Sequence, residues 1–287
     1  MESKCWQVTF HTDDEDNFLS EFLEDFFDVC ALNYLDDGRK EYVGYANINN
    51  FSKEALITSA LAKGIKLPPY TIMELKSENW LKDYVIKFDA FEVSDFCIYG
   101  AHQSTPPLTD KIKLQIYAAT AFGSNHQTTR ACIQAISELH KQGFVPHNIL
   151  DMGCGSGILS LCAAKLWTHS DIIAADIDEE AVIVTLNNAQ QNNLSAQINA
   201  YAGDGYKNTK VITAAPYNLI LSNILANPLK EFAPCLAQSL NSGGYAVLSG
   251  FVENQVDEVI TAHTAQGLQL IKVYDIDNWR AALLKKE

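Results

Sequence analysis

The sequence predicts an α/β protein in which a doubly wound, mostly parallel sheet follows a smaller α+β unit. Three observations predict it. From about residue 126 onward, apolar strand-like runs alternate with helix-like segments. One strand-to-helix junction carries an acidic residue and three glycines, Asp151-Met152-Gly153-Cys154-Gly155-Ser156-Gly157. The first 75 residues follow an order of elements of their own.

In that first part, Trp6, Val8 and Phe10 alternate as on a strand, and Phe18, Leu19, Phe22, Leu23, Phe26, Phe27 and Cys30 recur at helical spacing. Residues 31–35 and 41–48 read as strands joined through Asp36-Asp37-Gly38-Arg39, a hairpin turn signal. Ser52 can cap a helix that stops near Gly64, and Tyr70 to Leu75 offers another strand. The order βαββαβ predicts a ferredoxin-like sandwich over residues 1–75.

Residues 76–120 are expected to connect the two parts, with a short helix at Ser77 to Lys82 and strands near Phe91 to Tyr99 and Lys111 to Ala118. The second domain is expected over 121–287. Its strands are Ile149 to Met152, Ile172 to Ala175, Ile198 to Ala202, Leu219 to Ser222, Tyr245 to Ser249 and Leu268 to Tyr274.

The run Asn148 to Leu159 reads as a nucleoside-binding strand, turn and helix. Glycine adopts backbone angles closed to other residues, and a helix start offers unpaired N–H groups. Asp171-Ile172-Ile173-Ala174-Ala175-Asp176-Ile177-Asp178 then ends a second apolar strand on a carboxylate that can hold ribose hydroxyls, a geometry that would also suit NAD. The glycine spacing, Gly-x-Gly-x-Gly after an acid, departs from the dinucleotide pattern Gly-x-Gly-x-x-Gly.

With Ser222-Asn223-Ile224-Leu225-Ala226-Asn227-Pro228-Leu229 downstream, the chain resembles the S-adenosylmethionine-dependent class I methyltransferases, and more narrowly the PrmA family, which methylates large-subunit ribosomal protein eleven. Phe122-Gly123-Ser124-Asn125-His126-Gln127-Thr128-Thr129 is similar to that family's Phe-Gly-Thr-Gly-x-His-x-Thr-Thr segment, with one residue fewer between Gly123 and His126. The resemblance spans roughly residues 76–287. It implies a Rossmann-like sheet of seven strands, the last near Arg280 to Leu284, and an N-terminal domain that captures the protein substrate.

The implied cofactor, S-adenosylmethionine, is expected at the strand ends. Asp151 ends the first strand of the site; Gly153, Gly155 and Gly157 form the turn, and Ser156 supplies a contact near the helix start. Asp176 is expected to hold the ribose diol, whereas Asp178 caps the next helix. Asp204 stands where class I enzymes often contact the adenine amino group, or is a plain turn carboxylate. The resemblance implies that Thr129 and Asn223 border the cofactor. Asn223 is also the expected catalytic residue, because its amide can accept a hydrogen bond from an incoming amine. Asn227-Pro228 is followed by Leu229-Lys230 and lacks the second proline and aromatic of amide- and adenine-methylating enzymes, so Pro228 reads as a helix start. His126 either positions a substrate or bonds free backbone groups at its helix start.

Composition narrows the function classes. With 35 acidic against 21 basic residues, the net charge of −14 argues against broad contact with nucleic acid and favours a basic protein partner. Seven scattered cysteines without a Cys-x-x-Cys pair argue against a disulfide framework or zinc site, and no metal is expected. No apolar run is long enough to span a membrane and the N-terminus lacks a secretory pattern, which predicts cytoplasmic residence. The alternatives are a related lysine methyltransferase acting on the electron-transfer flavoprotein β subunit, and a catalytically inactive cofactor-binding protein that holds a partner.

Overall fold

The structure, a computed structural model, describes residues 5–12, 19, 22, 23, 26, 27, 29–34, 40–47, 51–75, 88–103, 105–117 and 127–287. The short helix expected at Ser77 to Lys82 and the segment Phe122 to His126 lie outside them. The chain divides into two compact units, Met1–Tyr84 and Val85–Glu287.

In the first unit, β1 (Cys5–Thr12), β2 (Val29–Tyr34), β3 (Lys40–Asn47) and β4 (Tyr70–Leu75) form an antiparallel sheet in the order β2-β3-β1-β4. Alternation along β1 sends Val8 and Phe10 into the core, where both are fully buried. Helix α1 (Lys53–Ala62) starts where Ser52 accepts a hydrogen bond from the Ala55 N–H at 3.0 Å, and it buries Leu56 and Ala60. Leu19, Phe22, Leu23 and Phe26 are helical, but Cys30 is not part of that helix. It pairs with Gly44 inside the sheet. Local periodicity read Cys30 as helical, and the ladder to β3 overrides it. A Cβ on Gly44 would sit 2.4 Å from the Phe27 ring, so glycine lets that ring lie against the sheet.

The second unit opens with β5 (Phe91–Val93), β6 (Phe96–Gly100) and β7 (Ile112–Ile116), a small sheet in which β5 and β6 are antiparallel and β6 and β7 parallel. The single strand expected over 91–99 is thus two, split by a turn at Ser94, whose φ is 47°.

The main sheet has seven strands in the order β10-β9-β8-β11-β12-β14-β13. They are β8 (Asn148–Met152), β9 (Asp171–Asp176), β10 (Ile198–Ala202), β11 (Tyr217–Asn223), β12 (Leu240–Val252), β13 (Leu268–Ile276) and β14 (Trp279–Lys286). β8 to β12 pair in parallel, and β14 runs antiparallel between β12 and β13. Helices α2 (Gln127–Lys141), α3 (Ile158–Leu166), α4 (Glu179–Gln191), α5 (Thr209–Ala214), α6 (Ala226–Ser239) and α7 (Val256–Thr264) alternate with these strands. Parallel strands covered on both faces read as continuous apolar runs; Ile149, Leu150, Leu219, Ile220 and Leu221 are all fully buried. Helix α2 buries Ile133, Ile136 and Leu139 completely, each contributing about 1.5–3 kcal/mol by leaving water. No helix among the described residues is long and apolar enough to cross a membrane.

Candidate active site

The strand order reverses between β8 and β11, and at such a switch point the loops leaving the two strands diverge and open a crevice. A cavity of about 510 Å³ lies there, lined by Met152 from β8, Asp176 from β9, Gly203 and Asp204 after β10, and Ile224 after β11. That volume falls within the roughly 300–1,000 Å³ of small-molecule sites.

The glycine turn forms its first wall. Gly153, Gly155 and Gly157 have φ of 74°, 53° and 76°, the left-handed region that side chains with a Cβ avoid. At Gly153 a Cβ would also come within 2.2 Å of the Ile224 side chain. The N–H groups of Gly153 and Cys154 both donate to the Ala175 carbonyl, at 2.8 and 3.1 Å, which pins the turn to the end of β9. Gly153 and Gly155 face the cavity, whereas Ser156 and Gly157 do not line it. Asp151 also lies outside the lining, buried beneath the turn. Its carboxylate accepts from the Ser160 N–H at 3.0 Å and the Ser160 hydroxyl at 2.6 Å, tying β8 to α3. Burial pushes its pKa up to about 6, against the lowering effect of the Ser160 bonds and with a smaller upward push from Asp176.

Asp176 lines the cavity and braces the turn. One carboxylate oxygen accepts from the Gly155 N–H at 2.9 Å and the other from the Asp178 N–H at 3.1 Å. A carboxylate offers about four acceptor positions, so capacity remains for a diol. Asp178 caps α4 by accepting from the Glu180 N–H at 2.9 Å. Glu180 lines the cavity, and one of its carboxylate oxygens is buried without a hydrogen-bond partner. Its pKa is raised by desolvation and then by the charge of Asp178.

Asp204 also lines the cavity, and its carboxylate pairs with Lys207 at 2.6 Å. Phe232 from α6 meets Tyr206 edge-on at 5.4 Å and, with Ile177, Leu225 and Pro228, adds apolar lining to the cavity. Pro228 lies in the first turn of α6, two residues past its start at Ala226. Asn223 ends β11 immediately before cavity-lining Ile224, and its amide nitrogen donates to the Thr129 hydroxyl at 3.1 Å. Gly250 on neighbouring β12 allows this junction, because a Cβ there would meet the Ile224 carbonyl at 2.0 Å.

Among the expected residues, the structure therefore gathers Gly153, Gly155, Asp176 and Asp204 around one cavity and joins Asn223 to Thr129. Glu180, Phe232 and Ile177 were not singled out in the sequence. The only signal for Glu180 is its place in the first turn of a helix, where an acid also complements the helix dipole.

The residues fit S-adenosylmethionine better than NAD. Asp176, Asp178, Glu180 and Asp204 give the cavity a carboxylate lining that would repel a pyrophosphate and favours a ligand carrying a sulfonium, an ammonium and a diol. The buried Glu180 oxygen is likewise suited to a hydrogen-bond donor. Among the described residues, no group of three or more His, Cys, Asp or Glu side chains is placed to hold a metal ion.

Comparison with known proteins points to one family. The family described as Ribosomal protein L11 methyltransferase (PrmA) matches residues 22–287. The ribosomal protein L11 methyltransferase of Bradyrhizobium diazoefficiens is 33% identical over 213 residues, covering 74% of this chain and 72% of that protein. Its counterpart in Brucella suis is 30% identical over 272 residues, 94% of this chain and 93% of that one. A crystal structure of ribosomal protein L11 methylase from Lactobacillus delbrueckii subsp. bulgaricus shares the fold, with a TM-score of 0.61 at 23% identity over 70% of this chain and 98% of that chain. The chain belongs to the PrmA family of S-adenosylmethionine-dependent ribosomal protein methyltransferases.

Proposed function

We propose that this enzyme methylates lysine side chains or the N-terminal amine of ribosomal protein L11. The observation that carries the reading is the cavity at the strand-order reversal, where a glycine turn and Asp176 face each other in a chain of this family. Bound S-adenosylmethionine supplies a methyl group on a sulfonium, so its leaving group is built in. Gly153 and Gly155 offer backbone at close range, Asp176 holds the ribose diol, and Asp204 and Glu180 accept from the remaining donors. Asp151, Ser156 and Gly157 shape the turn from behind.

For methyl transfer the chain mainly has to orient an amine, with reacting atoms roughly 3–3.5 Å apart. Asn223 accepts from that amine, and Thr129 fixes the amide that does so. A lysine, with a free pKa of about 10.4, must also lose a proton, and desolvation in the site raises its neutral fraction.

The unit before residue 76 is read as a ferredoxin-like domain that captures the substrate, with residues 76–120 as the connection and 121–287 as the catalytic domain. Support comes from the strand order β2-β3-β1-β4, all antiparallel, which a βαββαβ chain gives. The acidic chain suits a basic protein partner in the cytoplasm and is poorly suited to direct contact with nucleic acid.

Titration calorimetry of the purified chain with S-adenosylmethionine and NAD tests the cofactor assignment. Binding of S-adenosylmethionine alone is expected, and tighter binding of NAD would overturn the reading.

A further inference from the structure

Helix α4 and its C-cap carry a stripe of polar side chains that are buried: Thr185 at 0%, Asn188 at 1% and the capping Asn192 at 7% exposure. Their spacing, i, i+3 and i+7, places them on one face. That face touches two backbone segments, the end of β7 and the glycine turn. Asn192 accepts from the Gln115 N–H at 3.0 Å and donates to the Gln115 carbonyl at 2.7 Å. Asn188 repeats this grip one step along: it accepts from the Tyr117 N–H at 2.7 Å and donates to the Tyr117 carbonyl at 3.0 Å. Gln115 lies in β7 and Tyr117 one residue past its end; among the described residues β7 is an edge strand, so the two asparagine amides stand where a neighbouring strand would pair.

Asn188 does one thing that Asn192 does not. Its amide nitrogen also donates to the Ser156 carbonyl of the glycine turn, at 2.8 Å. Thr185 holds the preceding carbonyl, Gly155, at 3.0 Å. One amide therefore joins the turn to the strand end from which the chain runs into residues 118–126.

We infer that Asn188 is a positioning residue that couples the cofactor turn to the end of β7, and so sets cofactor affinity from behind the cavity. The inference rests on reading residues 153–157 as the cofactor turn. Removing the amide would take one hydrogen bond from the buried Ser156 carbonyl and two from the half-buried Tyr117 backbone, and the turn would lose the support that α4 gives it through this residue. Asn192 is the built-in control, because it grips the same strand edge without reaching the turn.

The test uses the full-length chain with S-adenosylhomocysteine as the titrant. Both Asn188→Ala and Asn192→Ala should lower the melting temperature, since each removes buried hydrogen bonds. Only Asn188→Ala should weaken S-adenosylhomocysteine binding by roughly tenfold, with less than about a twofold change for Asn192→Ala, the scale set by the loss of one hydrogen bond to a buried carbonyl. Equal losses of affinity in the two variants, or unchanged affinity in Asn188→Ala, would overturn the inference while leaving the cofactor reading in place. Wild-type protein that bound no S-adenosylhomocysteine would sink both. Amide hydrogen exchange on the wild-type chain supplies a reading that needs no variant: the ligand should slow exchange at Tyr117 along with residues 153–157, and protection confined to the turn would contradict the coupling.

Discussion

The Asn223 amide nitrogen donates to the Thr129 hydroxyl at 3.1 Å, across 94 positions of sequence, joining the end of β11 to the first turn of α2. With its nitrogen so engaged, the amide turns its oxygen toward other donors. In the proposed role, accepting from a substrate amine, this side chain would be held in one orientation before the substrate arrives.

Asn223→Ala is expected to lower kcat roughly a hundredfold and Thr129→Val roughly tenfold, through misplacement of the reacting amine and loss of one orienting bond. Because Thr129 acts through Asn223, the double variant should be little worse than Asn223→Ala alone. Steady-state kinetics of all three variants checks this, and additive losses would show that Thr129 acts independently.

Asp176→Ala is expected to weaken cofactor binding by about 1.5–3 kcal/mol, the cost of a charge-assisted acceptor. Its carboxylate also holds the Gly155 N–H, so some loss of melting temperature should accompany the change. Calorimetry showing wild-type affinity in this variant would remove Asp176 from the ribose site.

Asp151 predicts a pH effect of definite sign. Its folded pKa, about 6, lies above the ordinary carboxylate value near 3.8, so the folded state favours the protonated form. The stability it contributes is fully present below the unfolded pKa and is lost as pH rises through the folded one. By pH 7.5 the buried charge costs on the order of 3 kcal/mol. Asn at this position keeps an oxygen for the Ser160 donors and carries no charge. Asp151→Asn should therefore melt above wild type at pH 7.5, with the gap closing toward pH 4, and thermal melts across that range would show the opposite slope if the carboxylate were stabilised by ionisation.

Residues whose partners lie close in sequence were the most legible. Ser52 and Asp178 are helix caps because each meets an N–H two or three residues on, and both were readable as such. Cys30 was misread because its pairing with Gly44 lies outside any helical window. The strand expected from Tyr245 begins earlier, at Leu240, because Leu240 pairs with Tyr217 of β11, and residues 241–244 fall in the shift of register before Tyr245 pairs with Leu219. Phe232 and Glu180 reach the cavity only because α6 and α4 pack against particular strand ends. Asn188 and Asn192 carry no mark in the sequence that separates a buried ladder from a solvated helix face.

Deleting residues 1–75 is expected to leave S-adenosylhomocysteine affinity nearly intact, because every proposed cofactor residue from Thr129 to Asn223 lies in the later unit. Methylation of the intact protein substrate should fall sharply, since a fused capture domain raises the local concentration of the target amine. Unchanged kcat/KM in a folded truncation would leave the first unit without a capture role.

Incubation of the purified chain with methyl-labelled S-adenosylmethionine and purified ribosomal protein L11 tests the central claim most directly. Label is expected on L11 lysines or its N-terminal amine, with the signal greatly reduced in the Asn223→Ala variant. An enzyme that binds S-adenosylmethionine but leaves L11 unlabelled, while labelling another protein in a cell extract, would contradict the assignment.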